Sequence, residues 1–162
     1  MNSLSGAIGT RTPDDQAAAL RGESPVALAS RLRTATDSLA RLAAAFDDAA
    51  WSAPSPVPGF TVGQGVHSLL HDAYVHGDDV RAALDRPFDA GPGLRASLDF
   101  VLGALLRDEA AAADPAVGRL ADVSSEDFER QTGMAARDFL LAATGRSDPL
   151  RLGLSECVNI FR

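Results

Sequence analysis

The sequence predicts a mainly α-helical protein, built as an up-down helical bundle with a small C-terminal segment of helix and strand. Three long segments carry apolar residues at steps of three and four, the repeat of a helix with one buried face. Proline and glycine clusters separate these segments, and short joints of this kind suit neighbouring helices in a bundle. A hydrophobic content of 46% in 162 residues is enough for a core.

The first long segment begins at Ser24-Pro25, where a serine N-cap precedes a proline in the first helical turn. Six apolar residues then form one stripe: Leu28, Leu32, Ala35, Leu39, Leu42 and Phe46. This regular spacing makes the segment the strongest helix prediction in the chain. Prolines at positions 54, 56 and 58 with a glycine at 59 make a stiff connection after it.

Two further long helices are predicted after this connection. Thr61 and Gln64 have the spacing of a capping box, which predicts a helix over Val62–Leu84. A third helix is predicted over residues 94–112 and is closed by Asp114-Pro115. Its apolar face consists of Leu94, Leu98, Val101, Leu102, Leu105 and Leu106.

The C-terminal part has weaker patterns. A helix is predicted over residues 134–144 with Gly145 as its C-terminal cap, and residues 157–161 are predicted to form a short final strand. We therefore expect three parts. These are a polar N-terminal segment at 1–23, a helical bundle core at 24–113, and a small α+β segment at 114–162.

Composition excludes several classes of function. The net charge is -7 without any basic cluster, which argues against nucleic acid and anionic membrane surfaces as partners. Every basic residue is arginine, so lysine chemistry such as Schiff-base formation is absent. Cys157 is the single cysteine and no apolar run could span a bilayer, so we expect a protein of the reducing cytoplasm.

A histidine with flanking carboxylates is the most informative feature of the chain. His76 occupies a position on the predicted buried stripe of the second long helix, which otherwise consists of Val66, Leu69, Ala73, Val80 and Ala83. At about 100° per residue, Asp72 and Asp79 lie roughly 40° and 60° to the same side of His76. These three side chains are predicted to form one ridge of carboxylate and imidazole groups.

This ridge has two interpretations. Asp72 and His76 are one helical turn apart, and their oxygen and nitrogen donors suit zinc or another divalent metal. Asp79 is a further ligand or accepts the second ring N–H of His76 and so fixes its tautomer. The alternative is a partly buried histidine that only bonds to the carboxylates and holds the bundle in register. Both interpretations depend on the ring of His76 facing the protein interior.

Other candidate groups have simpler explanations. His67 and His71 are four residues apart, on roughly the opposite face from His76, and are expected to be solvated surface histidines. Asp108 and Glu109 are expected at a solvated helix end. The chain has no GxSxG motif, so serine hydrolase chemistry has no support.

Two segments resemble a known family. The segment LLHDAYVHGDDVRAALDRPF resembles the second metal-ligand helix of the mycothiol-dependent maleylpyruvate isomerase family, which belongs to the DinB-like group of four-helix bundles. The family pattern of an acidic residue, three residues, His, two residues and Asp is carried here by Asp72, His76 and Asp79. The later segment ARDFLLAATGRSDPLRLGL resembles the C-terminal piece of the family, where a leucine-rich helix ends at Gly145-Arg146. The resemblance covers roughly residues 25–161.

The resemblance implies a divalent metal, typically zinc, held by two histidines and one Glu or Asp. Mycothiol, a low-molecular-weight thiol, would be activated at the open coordination position. Asp72 would be the carboxylate ligand, His76 one of the histidines, and Asp79 their support. Family members also have an N-terminal helix pair with a Trp-Thr-Val motif and the first histidine ligand, and we expect this chain to lack that pair. Residues 51–67 are similar to that motif, with His67 one residue out of register.

Two functions follow as hypotheses. The first is a metal-binding protein of the mycothiol-dependent isomerase or thiol-transferase type, which acts with a small-molecule thiol. The second is a non-catalytic bundle that uses the stripe of Leu28, Leu32 and Leu39 as a dimerisation or partner-binding surface. Three arrangements stay open. The chain is a shortened bundle with an incomplete metal site, a homodimer that completes the bundle in trans, or part of a longer product whose start was miscalled.

Overall fold

The computed structural model describes residue 22 and residues 24–161. This part of the chain is mainly helical and contains no strand, apart from an isolated bridge between Pro54 and Thr61. The mainly α-helical class predicted from the sequence is therefore confirmed. The predicted polar segment 1–23 lies almost wholly outside the described residues. The chain divides into two compact units, residues 1–46 and residues 47–162.

The first unit contains helix α1, Pro25–Ala44. The Ser24 hydroxyl oxygen accepts a hydrogen bond from the backbone N–H of Ala27 at 3.2 Å, and Pro25 occupies the first turn, as the sequence predicts. No residue of this helix is buried. Leu28 and Leu32 of its apolar stripe are 40% and 67% exposed.

The second unit contains the remaining described elements. Its two long helices are α3 and α4, and the others are single turns or short helices. In chain order they are α2 (Asp48–Ser52), α3 (Val62–Ala83), α4 (Pro92–Arg107), α5 (Glu109–Ala112), α6 (Pro115–Gly118), α7 (Phe128–Thr132), α8 (Ala136–Ala143), and two 3₁₀ turns, η1 (Pro149–Leu152) and η2 (Glu156–Val158).

Side-chain caps set the ends of the long helices. At the start of α3, Thr61 and Gln64 form the predicted capping box, with Thr61 accepting from the Gln64 N–H at 3.2 Å and Gln64 accepting from the Thr61 N–H at 2.8 Å. The predicted helix over residues 94–112 is interrupted. Asp108 ends α4 and caps α5, because its Oδ1 accepts from the N–H groups of Ala110 and Ala111.

The core of the second unit is built around α4. Leu98, Val101, Leu102 and Leu105 are buried as predicted, whereas Leu106 is 38% exposed. They share one hydrophobic cluster with residues of the later elements, among them Phe128, Phe139 and Val158. The core of the second unit therefore includes residues on both sides of position 113.

The C-terminal segment departs from the prediction. Helix α8 and Gly145 at φ +72° agree with the predicted helix and its cap. The strand predicted over residues 157–161 is wrong, because Ser155 caps the turn η2 there and Val158 is buried in the core. The N–H of Ile160 bonds to the carbonyl of Ala143 at the end of α8, so this segment packs on a helix end without a partner strand.

Candidate functional site

Helix α3 buries the face opposite to the one predicted. Its buried residues are Gly63, His71, Tyr74, Val75 and Asp78. At about 100° per residue, this face lies roughly 180° around the helix axis from the predicted stripe. Leu69 and Val80 of the predicted stripe are 50% and 59% exposed. The His76 side chain is 74% exposed, so the prediction that its ring faces the interior is wrong.

The physical reason for this reversal is that both buried polar residues of α3 have partners on other helices. Ser97 of α4 bonds to His71, and Arg137 of α8 bonds to Asp78. A polar side chain can lie inside a protein when a partner satisfies it, so polarity alone does not assign a residue to the surface.

His71 is a buried histidine. Its Nδ1 lies 2.6 Å from the Ser97 hydroxyl oxygen, and its ring stacks on Phe100 with the centroids 4.8 Å apart. Its exposed fraction is 1%, and its Nε2 has no hydrogen-bond partner among the described residues. Burial lowers the pKa of His71 because the imidazolium loses its hydration, so the ring is neutral near pH 7. The prediction of a solvated His67 and His71 pair is correct for His67 alone.

The buried ring of His71 makes stability depend on pH. The folded pKa lies below the value of about 6.5 in the unfolded chain, so the unfolded state binds a proton first on acidification. The contribution of His71 to stability is therefore present above about pH 6.5 and is lost as the pH falls towards the lowered folded pKa. We expect the loss of stability between pH 7.5 and pH 5.5, measured by urea unfolding, to be smaller in His71→Gln than in the unmodified protein. Equal losses in the two proteins would contradict this assignment.

Asp78 and Arg137 form an ion pair that sequence reasoning missed. Asp78 Oδ2 accepts from Arg137 Nε at 3.1 Å and lies 3.0 Å from Nη2. The Asp78 side chain is 7% exposed and that of Arg137 is 31% exposed. The guanidinium also lies over the ring of Phe88, 5.2 Å from its centroid. The two charges are 59 residues apart in sequence, so local spacing carries no signal for the pair.

The three residues of the predicted ridge lie on the exposed side of α3. His76 Nδ1 lies 3.3 Å from Asp79 Oδ2, which is the contact expected if Asp79 orients this imidazole. Asp72 is exposed, one helical turn before His76. The structure thus keeps the spacing that the sequence predicts but places the ridge towards solvent.

Arg146 holds Asp79 in place. Its Nε and Nη2 donate to the two carboxylate oxygens of Asp79, each at 2.7 Å, in a bidentate pair. Arg146 Nη1 also donates to the carbonyl of Thr144 at 3.2 Å. The hydrogen bonds from Arg146 lower the pKa of Asp79, and Asp79 in turn raises the pKa of Arg146. The two segments that carry the family resemblance therefore meet at this pair.

The donor set fits a divalent metal in part. Asp72 and His76 offer one carboxylate and one imidazole on the same face, whereas both oxygens of Asp79 are bonded to Arg146. Among the described residues, no group of three or more His, Cys, Asp and Glu side chains is arranged to hold a metal ion. The resemblance implies three protein ligands, so the described chain supplies one fewer than that.

Comparison with known proteins gives no assignment: no family model, no curated protein and no solved structure matches this chain. No helix in residues 24–161 combines the length and apolarity needed to cross a membrane.

Proposed function

We propose that this chain binds a divalent metal ion through Asp72 and His76 and acts in the manner of the mycothiol-dependent maleylpyruvate isomerase family within the DinB-like group. The observation that carries this proposal is the chain of contacts from Arg146 to Asp79 to His76. A carboxylate that accepts the Nδ1–H of a histidine fixes its tautomer and leaves the Nε2 lone pair free for a metal. Asp79 has this position relative to His76.

The position of Asp72 supports the same proposal. Side chains four residues apart on a helix are neighbours, so the Asp72 carboxylate and His76 Nε2 can bind one ion. No hydrogen bond or ion pair to another described residue occupies Asp72. Carboxylate oxygen with imidazole nitrogen suits zinc among the first-row metals.

The reaction class follows from the resemblance. A zinc ion there would lower the pKa of a bound low-molecular-weight thiol such as mycothiol, which favours isomerase or S-transferase chemistry. Because the described residues supply two protein ligands, the remaining coordination positions fall to water, the thiol or a second copy of the chain.

A second candidate function is a non-catalytic bundle that pairs with another copy of itself. The observation in its favour is that Leu69 and Val80, on the same side of α3 as His76, are 50% and 59% exposed. Exposed large apolar side chains that lie close together are typical of protein interfaces. In this second function, His76 and Asp79 form a hydrogen bond with each other and bind no metal.

Zinc titration of tag-free protein against a chromophoric chelator tests the proposal. We expect His76→Ala to abolish binding and Asp79→Asn to weaken it on the order of tenfold or more, because the imidazole loses its orienting carboxylate. His67→Ala is the matched control, since His67 is an exposed histidine on the opposite side of the same helix, and it should bind zinc unchanged.

The same samples distinguish the two candidate functions. Zinc binding that survives His76→Ala would contradict the metal proposal. A dimer in sedimentation that forms equally well without zinc, and is lost in Leu69→Ser, would support the bundle that pairs with itself. A zinc-dependent dimer would instead indicate that two copies share the ion.

A further inference from the structure

A cleft lies between the first turns of α3 and the last turns of α4. It has a volume of about 280 Å³. The residues that shape it are Gly63, Gln64 and His67 of α3, with Asp99, Phe100 and Arg107 of α4. All of them belong to the second unit of the chain. Its lining is mostly polar, with Phe100 as the large apolar side chain. Small organic molecules bind in concave sites, where polar groups fix their orientation.

Arg107 is the polar group best placed to bind a ligand. A Cβ at Gly103 would lie 3.1 Å from Arg107 Nη1, so the guanidinium lies back along α4 over the bare surface of this glycine. The structure gives Arg107 no ion pair with any described residue. An arginine on a concave surface that forms no ion pair with the described acidic residues is suited to binding a carboxylate in a bidentate manner.

Aromatic rings form the apolar part of the cleft. Phe100 lines it while its ring stacks on the buried His71, which fixes its orientation. The His67 ring makes an edge contact with Trp51, with the centroids 6.3 Å apart. Trp51 in turn packs against Gly63, where a Cβ would lie 2.5 Å from its ring. The walls are therefore held by packing, so the cleft is preformed.

We propose that this cleft binds a small aromatic monocarboxylate, with its carboxylate on Arg107 and its ring against Phe100 and His67. Asp99 stands on the same face of α4, two helical turns before Arg107. Its negative charge disfavours a second carboxylate at that end of the ligand, so a monocarboxylate binds more tightly than a dicarboxylate of similar size.

The cleft is separate from the metal site proposed above. His67 lies roughly 180° around the axis of α3 from His76. Loss of zinc binding in His76→Ala and loss of carboxylate binding in an Arg107 variant are therefore independent outcomes.

Benzoate titration followed by tryptophan fluorescence tests the proposal, because the chain has one tryptophan and it contacts His67. We expect a saturable change in emission, and an apparent affinity about tenfold weaker in Arg107→Gln. Arg95→Gln is the matched control, since Arg95 is an exposed arginine of the same helix that pairs with Glu126, and it should bind benzoate unchanged. Calorimetry of the same titration detects binding that leaves the emission unaltered.

Two ligands of different charge define the specificity. Benzyl alcohol, which lacks the carboxylate, should bind much more weakly than benzoate. Phthalate should also bind more weakly than benzoate, because Asp99 disfavours its second carboxylate. Asp99→Asn should therefore reduce the difference in affinity between phthalate and benzoate. Far-UV circular dichroism shows whether each variant is folded. Arg107→Lys is a second variant. It keeps the positive charge but loses the bidentate geometry, so we expect it to bind benzoate with intermediate affinity. Absence of saturable benzoate binding, or equal affinity in Arg107→Gln, would overturn the proposal.

Discussion

Replacement of Phe139 with alanine is expected to lower the free energy of unfolding by about 3–5 kcal/mol. The Phe139 side chain on α8 is fully buried and packs against Phe128 of α7, with the ring centroids 4.9 Å apart. Removal of the ring loses the favourable free energy of its transfer from water and its contacts with the surrounding core. The remaining cavity also costs stability, because a close-packed interior fills it only in part.

Urea unfolding measures this loss. Leu150→Ala is the control, since Leu150 is 63% exposed and its truncation should change stability by no more than about 0.5 kcal/mol. If Phe139→Ala changed stability as little as Leu150→Ala, the core that joins α4, α7 and α8 would not exist in solution.

Replacement of Arg137 with methionine is expected to lower the free energy of unfolding by about 3 kcal/mol. This substitution leaves the Asp78 carboxylate buried without the guanidinium that bonds its Oδ2. This loss lies at the lower end of the range that is typical when one partner of a buried ion pair is removed, because the Arg137 side chain is 31% exposed and water reaches it. The double variant Asp78→Leu with Arg137→Met removes both charges and should recover most of the stability.

The control for this prediction is an exposed ion pair. Arg130 and Asp127 lie 2.8 Å apart, with side chains 70% and 44% exposed, and Arg130→Met should cost less than about 0.5 kcal/mol. A double variant that is no more stable than Arg137→Met alone would show that the cost comes from lost packing of the arginine and not from the uncompensated carboxylate.

The starts of helices α1 and α3 can be predicted from the sequence, because their capping residues lie within the same few positions of the chain. Ser24 caps α1 and the pair of Thr61 and Gln64 caps α3, and each signal depends only on residues three positions apart. The buried face of α4 was also predictable, because leucine and valine side chains alone mark it. Asp108 was the exception, since its capping of α5 interrupts a pattern that otherwise reads as one helix.

The buried face of α3 could not be predicted in the same way. This helix has apolar residues on both sides, and its buried side includes His71 and Asp78, which apolar periodicity assigns to the surface. The partners that allow their burial, Ser97 and Arg137, are 26 and 59 residues away in sequence. Tertiary hydrogen bonds therefore decide which side faces inward, and a single helical window does not contain them.

The same limit applies to the candidate site. The local contact between His76 and Asp79 was predictable from their spacing, whereas the bidentate bond from Arg146 to Asp79 joins residues 67 positions apart. The metal proposal consequently depends on an oriented, solvent-facing imidazole and not on the buried one that the sequence predicts.

Nitrogen-15 NMR of the imidazole rings during zinc addition tests the claim that His76 binds the metal, since the chain has three histidines in three different environments. We expect His76 to carry its proton on Nδ1 before zinc is added. Zinc should then shift the Nε2 resonance of His76 while the rings of His67 and His71 keep their positions. A zinc-induced shift at His67, or no shift at His76, would contradict the claim.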